Sequence, residues 1–443
     1  MLSHMEASVI SAPSAYDRLR LDDAQLTALL ASGRSRRELQ AVFGRQEYLL
    51  LAGLAQRAVR AKLRQYLPVY LLPGIMGTQL GLARPAPLPA DLLWIDPQDI
   101  IAGGLTGLRL GAPELVTLGA IPYSYLALQL RLRAAGFTII MHQYDWRRSL
   151  SQLAEEFAAR VRAEGAPAIM VVAHSMGGLV ARASLALPGM DCVRRLISLG
   201  VPHGGSFGAV QALRGTYPVV RRLAALDRLH DAETLASEVF GTFPSLYQML
   251  PPRAAGARTD LHAAADWPVA GPRPDPELLR RARGFFAALP PLDPRHCAIV
   301  GTAQRTVTGI DVVADDFRYQ ISTAGDGTVP LNSALLPGFD NYRLRCEHSA
   351  LPRSVTVARA LCELLLGGQT RILSPVASLA AVTGAASVGA APRLYAVSDQ
   401  QLRSNWSHKV DWQRYTPGER RNYLNCLNQP PPQYAARRTG RAN

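Results

Sequence analysis

A serine in the segment VVAHSMGGLVAR (171–182) is the residue of this 443-residue chain best placed for chemistry. Ser175 follows an apolar, strand-like run and opens an amphipathic helical pattern, with the small residues Ala173 and Gly177 two positions to either side. So tight a turn from strand to helix needs small neighbours. It presents the hydroxyl at a helix N-terminus, where the dipole and free N–H groups favour negative charge. We predict that Ser175 is the nucleophile of acyl transfer; the alternative is a core serine at the start of a packed helix.

A serine nucleophile needs a general base, and the base needs a carboxylate that orients it. On this kind of elbow the acid follows the serine along the chain and the histidine follows the acid. Asp326 lies between two glycines in GDGTVP (325–330), and His348 comes just after a strand-like run. We therefore predict the triad Ser175, Asp326 and His348. Rivals downstream of the serine are His203, His230, His262 and His296 for the base and Asp311, Asp315, Asp316 and Asp340 for the acid.

Acyl transfer also needs two N–H groups that hold the developing oxyanion. One is expected from the residue after the nucleophile, Met176, and the other from a loop after an earlier strand. The segment LLPGIMGTQL (71–80) supplies such a loop, with Ile75 as the donor and Gly74 and Gly77 allowing close approach of the backbone. The alternative is that PGIMG forms only a turn.

Apolar runs alternate with helical patterns along the middle of the chain. Strands are predicted at 69–72, 138–141, 168–172, 196–199, 298–300 and 342–346, and helices at 125–135, 176–187 and 355–366. This alternation, together with the elbow, predicts an α/β-hydrolase fold, a mostly parallel central sheet flanked by helices.

One interval is too long for a plain connection. Between Gly200 and Cys297 lie 96 residues, which predicts an inserted cap or lid at about 201–296. Apolar residues of this segment are candidates for lining an acyl pocket, or for packing a purely structural cap: Phe207, Leu213, Tyr217, Val219 and Val220. Five arginines of this segment are candidates for contact with lipid phosphate, although such charged residues more commonly lie on a solvent-exposed face: Arg221, Arg222, Arg280, Arg281 and Arg283.

The two end segments differ from the body of the chain. Residues 1–67 form a predicted helical extension, with apolar stripes at Leu21, Leu26, Leu29 and Leu30 and at Leu50, Leu51, Leu54 and Val59. The hydrolase domain then covers 68–368. Residues 369–443 form a C-terminal extension, in which the small-residue run 372–392 is a loose linker or a strand pair and the remainder is a basic tail.

Composition limits the classes of function. The net charge is +14, but 46 of the 48 basic residues are arginine, and residues 68–392 carry an excess of only +4. No nucleic-acid-binding motif occurs, so we expect no nucleic-acid partner. A basic tail can hold a lipid enzyme to an anionic membrane; arginine bias in the ends is the alternative.

Cysteines and targeting signals bear on localisation. Five cysteines with no CxxC or metal-like spacing argue against a disulfide framework, and neither a metal nor a cofactor is expected. The N-terminal residues show no signal-peptide pattern, and no confident membrane span occurs. A cytoplasmic location is therefore expected, with peripheral membrane contact as an option; the oligomeric state is open.

A set of motifs in fixed order resembles the lecithin:cholesterol acyltransferase family of α/β-hydrolases, which includes lysosomal phospholipase A and phospholipid:diacylglycerol acyltransferases. The matching segments, within about 68–365, are PVYLLPGIMGTQL (68–80), LLWID (92–96), QYDWRRS (143–149), AHSMGGLVAR (173–182), ISLGVPHGGS (197–206), FPSLYQMLP (243–251), GDGTVP (325–330) and the His348 segment. The resemblance implies the same triad and the oxyanion donors Ile75 and Met176. Through two of these motifs it also implies substrate contacts by Trp94, Tyr144, Asp145 and Trp146.

The function expected from these observations is serine-dependent hydrolysis of a lipid acyl ester, or transfer of the acyl group to an alcohol, through an acyl-enzyme on Ser175. Alternatives are a hydrolase of another ester class, such as an intracellular polyester depolymerase, a general esterase or a secreted antibacterial lipase effector. A non-enzymatic binding module on the same fold is a further alternative.

Overall fold

A central sheet of seven strands organises the protein. The computed structural model describes residues 23–111, 114–253, 259–376, 393–404, 409–425 and 427. Their strands are β1 (Val69–Leu72), β2 (Thr78–Leu82), β3 (Asp91–Trp94), β4 (Val116–Ala120), β5 (Ile139–Met141), β6 (Ile169–His174), β7 (Val193–Leu199), β8 (His296–Thr302), β9 (Thr306–Val313), β10 (Asp316–Ser322), β11 (Asp340–Arg345), β12 (Ser374–Pro375) and β13 (Arg393–Ser398). The central sheet has the order β12–β11–β8–β7–β6–β1–β5, and each neighbouring pair is parallel except β11 and β12.

Helices cover both faces of this sheet. In chain order they are α1 (Asp23–Ser32), α2 (Arg36–Phe43), α3 (Arg45–Arg60), α4 (Pro97–Ile101), α5 (Pro122–Ala134), α6 (Leu150–Glu164), α7 (Met176–Ser184), α8 (Phe207–Leu213), α9 (Pro218–Leu226), α10 (Ala232–Glu238), α11 (Pro244–Gln248), α12 (Pro276–Ala282), α13 (Phe285–Ala288), α14 (Leu331–Ala334), α15 (Val355–Gly367), α16 (Asp399–Ser404) and α17 (Pro417–Asn425). The predicted α/β-hydrolase architecture of a parallel sheet between helices is confirmed, and the predicted strand and helix boundaries lie within a few residues of the observed ones.

The strand β1 shows why these apolar runs form buried parallel strands. All four of its residues are buried, and alternate side chains point to opposite faces. Val69 and Leu71 join a core with α5 and α15, whereas Tyr70 and Leu72 join the core with α6 and α7. Because both faces meet helices, the strand is apolar throughout rather than alternating.

The N-terminal helices pack on α5 rather than on the sheet. Leu26, Leu30, Leu51 and Leu54 share one apolar cluster with residues of α5. The second predicted stripe is only half correct, since Leu51 and Leu54 are buried while Leu50 and Val59 are exposed; those two lie off the face that turns toward α5. Leu21 lies outside the described residues.

The residues predicted as cap, 201–296, hold α8 to α13 between β7 and β8. Arg221 and Arg222 are buried there, at 5% exposure each, which corrects the expectation of a solvated or lipid-facing surface. Arg221 donates to the carbonyl of Arg403, and Arg222 lies over the Tyr423 ring. By contrast, Arg280 and Arg281 are exposed and pair with Glu277 on their own helix.

The C-terminal segment adds to the fold in a way that the sequence did not predict. Strand β13 completes a three-stranded antiparallel sheet with β9 and β10. Asp399, fully buried at the start of α16, forms an ion pair with the equally buried Arg214 and accepts a hydrogen bond from Tyr319 at 2.7 Å. The described C-terminal residues are thus anchored in the cap. Most of the small-residue run, 377–392, and the last residues, 428–443, lie outside the described part of the chain.

Two observations, on the cysteines and on membrane-spanning helices, bear on the predictions about localisation. Cys192, Cys297, Cys346 and Cys362 are free thiols, and Cys426 lies outside the described residues. In the part of the chain that the structure describes, no helix is both long enough and apolar enough to cross a bilayer.

Candidate active site

Ser175 occupies the turn between β6 and α7. Its backbone adopts φ 53° and ψ −130°, a conformation that costs a non-glycine residue about 1–3 kcal/mol. The requirement for a small residue at position 177 follows from packing, because a Cβ atom there would lie 2.4 Å from the carbonyl oxygen of Pro73. The strand–turn–helix expected around Ser175 is therefore present. The strained backbone conformation of Ser175 places its hydroxyl at the start of α7.

The side chains of Ser175, His348 and Asp326 form a continuous hydrogen-bonded chain. The Nε2 atom of His348 lies 2.8 Å from Ser175 Oγ, and its Nδ1 atom lies 2.7 Å from Asp326 Oδ2. An ionised carboxylate only accepts hydrogen bonds, so Nδ1 carries the proton and Nε2 is free to accept one from the hydroxyl. This tautomer is the one in which histidine can take the serine proton as the oxygen attacks.

Asp326 is held in place by backbone groups. Its Oδ1 atom accepts hydrogen bonds from the amides of Thr328 at 3.0 Å and Val329 at 2.7 Å, while its own carbonyl accepts from the His348 amide at 2.8 Å. The acid and the base are thus fixed to each other through side chain and main chain together. This leaves Oδ2 directed at the imidazole.

The loop after β1 passes directly beside the serine. A Cβ atom on Gly74 would lie 2.9 Å from the Cβ atom of Ser175, so only glycine allows this approach. The next residue, Ile75, lines the same cavity as Ser175. The amide of Met176 is in the first turn of α7, where N–H groups have no intrahelical acceptor. The two predicted oxyanion donors therefore lie on the two backbone segments that flank the nucleophile.

A second buried hydrogen-bond chain, which sequence reasoning missed, ties these segments together. The Gly74 amide donates to the Tyr125 hydroxyl at 2.8 Å, that hydroxyl lies 2.9 Å from His174 Nδ1, and His174 Nε2 lies 3.1 Å from the His348 carbonyl. A carbonyl can only accept, so Nε2 donates to it and Nδ1 accepts from Tyr125. Burial, followed by the nearby His348, holds the pKa of His174 well below its usual value, which keeps this ring neutral.

The predicted substrate-binding residues divide into two groups. Trp94 lines the cavity and donates from Nε1 to the Met76 carbonyl at 2.9 Å. Tyr144 and Trp146 lie behind the loop instead: Tyr144 donates to the Pro73 carbonyl, and Trp146 packs edge-on against Trp94 at 5.4 Å. Asp145 forms a two-point ion pair with Arg147. Tyr144 thus supports the loop, and none of Tyr144, Asp145 and Trp146 lines the cavity, which corrects the expectation of substrate contact.

The cavity into which Ser175 and His348 open has a volume of about 440 Å³. Its walls are mainly apolar, and among the described residues that line it Arg353 is the only one with a permanently charged side chain. Of the cap residues proposed for an acyl pocket, Tyr217 and Val219 line it, whereas Phe207, Leu213 and Val220 do not. A volume of this size is within the usual range for small-molecule sites.

The rival histidines have other partners. His203 lies 3.1 Å from the Ser198 hydroxyl, and the other three lie near carboxylates of their own segments: His230 near Asp227, His262 near Asp260 and His296 near Asp293. Three of the rival acids belong to the β9–β10 hairpin, and Asp340 begins β11. The structure thus brings His348 and Asp326 to Ser175 and leaves these rivals elsewhere.

Comparison with known families gives a partial match. Residues 129–267 match the model of a family described as a PGAP1-like alpha/beta domain, which is less than a third of the chain. A search of curated proteins gives no match. Together with the sheet and the elbow, the family match places the chain in the α/β-hydrolase superfamily. It does not extend to the lecithin:cholesterol acyltransferase family, which stays a prediction.

Several solved structures are distantly similar. Mature lipase BlEst2 from Bacillus licheniformis shares 13% identity over 69% of this chain and 94% of its own, with a TM-score of 0.35. Phospholipase PlaB from Legionella pneumophila shares 12% identity over 68% of this chain and 58% of its own, with a TM-score of 0.32. The Tle4–Tli4 complex contains a chain that shares 16% identity over 53% of this chain and 74% of its own, with a TM-score of 0.35. Likenesses this distant carry no argument about substrate.

Proposed function

We propose that the protein is a serine-dependent lipid acyl-ester hydrolase that works through an acyl-enzyme on Ser175. The observation that carries the proposal is the hydrogen-bonded chain from Ser175 through His348 to Asp326 at a mainly apolar cavity. Such a chain activates a hydroxyl, and such a cavity accepts the apolar part of an ester.

The proposed reaction has two halves. In the first, Ser175 Oγ attacks the ester carbonyl while His348 Nε2 takes its proton, and the amides of Ile75 and Met176 hold the oxyanion. Collapse of the tetrahedral intermediate breaks the ester bond, and His348 returns the proton to the leaving alcohol. In the second half, water attacks the acyl-enzyme with His348 as base, which releases the acid and restores the serine. An alcohol in place of water would yield a new ester by the same steps, which is the O-acyltransferase form of the proposal.

The test is turnover of a fluorogenic fatty-acyl ester by the purified chain. We expect Ser175→Ala to lower kcat by at least about a thousandfold, since the members of a triad act as a unit. A fluorophosphonate probe should label the wild-type chain and leave the Ser175→Ala chain unlabelled. Full turnover by Ser175→Ala would refute the proposal, as would a wild-type chain that neither turns over esters nor takes the label.

Two further measurements settle the acceptor and the ester class. Mass spectrometry of products from mixed lipid vesicles, with and without an added alcohol, separates free acid from new ester. A panel of phospholipid, triacylglycerol and hydroxyalkanoate oligomer separates a lipid hydrolase from a polyester depolymerase. Dominant cleavage of the hydroxyalkanoate oligomer would move the assignment to the other ester class.

A further inference from the structure

The cavity beside Ser175 has walls from both ends of the chain, far outside the predicted hydrolase domain. Leu26, Leu39 and Phe43 belong to the N-terminal helices α1 and α2, and Leu424 and Leu427 belong to the C-terminal segment. All five line the same cavity as the nucleophile. Helices α2 and α17 also contact each other, so the two walls meet.

The N-terminal wall is a built structure. The Phe43 ring packs against the Tyr123 ring at 5.2 Å, and the Tyr123 hydroxyl donates to the carbonyl of Val42. Phe43 is only 6% exposed and Leu39 only 2% exposed. Side chains this well buried are held by close packing and do not yield freely to a ligand. The wall therefore has a definite position at the cavity.

The C-terminal wall is anchored in the cap. The Tyr423 hydroxyl donates to the Arg222 carbonyl at 2.8 Å, and the Tyr423 ring packs edge-on against the buried Trp412 at 6.0 Å. Further back, the Val410 amide donates to the carbonyl of Ala225 at 2.7 Å. These contacts hold the segment that carries Leu424 and Leu427 against α9.

The chemistry of the walls selects the part of an ester that fits there. A polar head group would lose hydrogen bonds to water against Leu39, Phe43 and Leu427, whereas an unbranched hydrocarbon chain gains from the transfer. From this we infer that the end segments form the acyl-chain site and that Phe43 and Leu427 set the length of fatty acyl chain that the enzyme accepts. The inference rests on the proposed function, because it names the acyl group that Ser175 would receive.

The experiment measures kcat/KM of the full chain on p-nitrophenyl esters from butyryl to palmitoyl. In the wild type, kcat/KM should rise by up to about fourfold per methylene until the chain fills the cavity. Phe43→Trp and Leu427→Trp narrow the cavity from the N-terminal and the C-terminal wall respectively, and each should move the optimum to shorter chains by roughly two methylenes or more. Phe43→Ala should move it to longer chains.

Matched controls separate chain selection from lost stability. Leu30→Ala, the control for Phe43→Ala, removes a buried side chain from the neighbouring helix α1, but Leu30 does not line the cavity, so the optimum should stay at the wild-type length. Labelling of Ser175 by a small fluorophosphonate reports whether each variant keeps a working nucleophile. A labelled, active Phe43→Trp and a labelled, active Leu427→Trp with the wild-type optimum would overturn the inference and leave the proposed function standing. A wild-type chain with no turnover on any ester would overturn both.

Discussion

Tyr125 lies at the centre of the hydrogen-bond chain that joins the loop before Ile75 to the backbone of His348. Its side chain is 2% exposed, and its hydroxyl accepts from the Gly74 amide while lying 2.9 Å from His174. Tyr125→Phe removes only that oxygen. It leaves a buried amide and a buried ring nitrogen without their partner, and each such group costs about 1–3 kcal/mol.

The expected kinetic effect follows from the position of Gly74 next to the proposed oxyanion donor. Loss of a whole donor typically lowers kcat by about a hundredfold to a thousandfold. Tyr125 holds Gly74, the residue before the proposed donor Ile75, and does not bind the oxyanion itself. We therefore expect the smaller effect of a roughly tenfold or greater fall in kcat. KM should change little, because the oxyanion forms in the transition state and the tetrahedral intermediate and is absent from the bound ester.

Tyr247→Phe is the matched control. The Tyr247 hydroxyl likewise accepts from a backbone amide, that of Asp275 at 2.9 Å, and donates to a carbonyl, that of Gly241 at 2.7 Å. It is absent from the cavity lining, so its loss should lower stability without lowering kcat. The assay is steady-state turnover of one fatty-acyl ester by both variants, with urea unfolding in parallel. The reasoning is refuted if Tyr125→Phe keeps wild-type kcat, or if both variants lose kcat equally.

Two further predictions concern stability. Burial lowers the pKa of His142 to about 3, so as the pH falls below about 6.5 the unfolded chain binds a proton on this ring and the folded chain does not. Urea unfolding should therefore show that His142 lowers the free energy of unfolding by about 1.4 kcal/mol between about pH 8 and pH 5.5. His142→Leu should remove that part of the pH dependence, and an unchanged pH dependence would contradict the assignment. Asp399→Ala leaves Arg214 buried without its carboxylate and should lower the free energy of unfolding by about 3–5 kcal/mol, with Arg214→Met in the same chain restoring part of the loss. A loss of less than about 1 kcal/mol would mean that this pair does not anchor the C-terminal segment.

The elbow could be predicted from sequence because its constraints are local. A strand, a tight turn and a helix must follow one another within a dozen residues, and the small residues at 173 and 177 are fixed by that turn. Asp326 follows the β9–β10 hairpin and lies beside Gly301 of β8, and His348 follows β11, the parallel neighbour of β8, so the two residues meet near Ser175 in that chain order. Chain order therefore pointed to the same pair that the structure brings to Ser175.

What the sequence left undetermined depends on contacts between distant segments. Tyr125 and His174 are 49 residues apart, and nothing in either segment marks them as partners. The β9–β10 hairpin was missed because its turn, Ala314 and Asp315, lacks the glycine or asparagine typical of such turns; both residues nevertheless adopt positive φ angles. From the sequence alone Asp315 is a rival acid, whereas in the structure it is a residue of the hairpin turn.

The basic charge of the chain illustrates the same limit. Arg214 is fully buried and donates to the carbonyls of Pro268 and Pro272, and Arg147, 4% exposed, donates to that of Leu108. A guanidinium offers five donors in one plane and stays charged, so a single side chain can hold several backbone segments at once. Each of these arginines is also paired with a carboxylate, Arg214 with Asp399 and Arg147 with Asp145, so it adds to the count of basic residues without creating a basic surface. The number of arginines is therefore weak support for a nucleic-acid or membrane partner of this fold. Binding to an anionic membrane stays a prediction for the end segments, and much of their basic sequence lies outside the described residues.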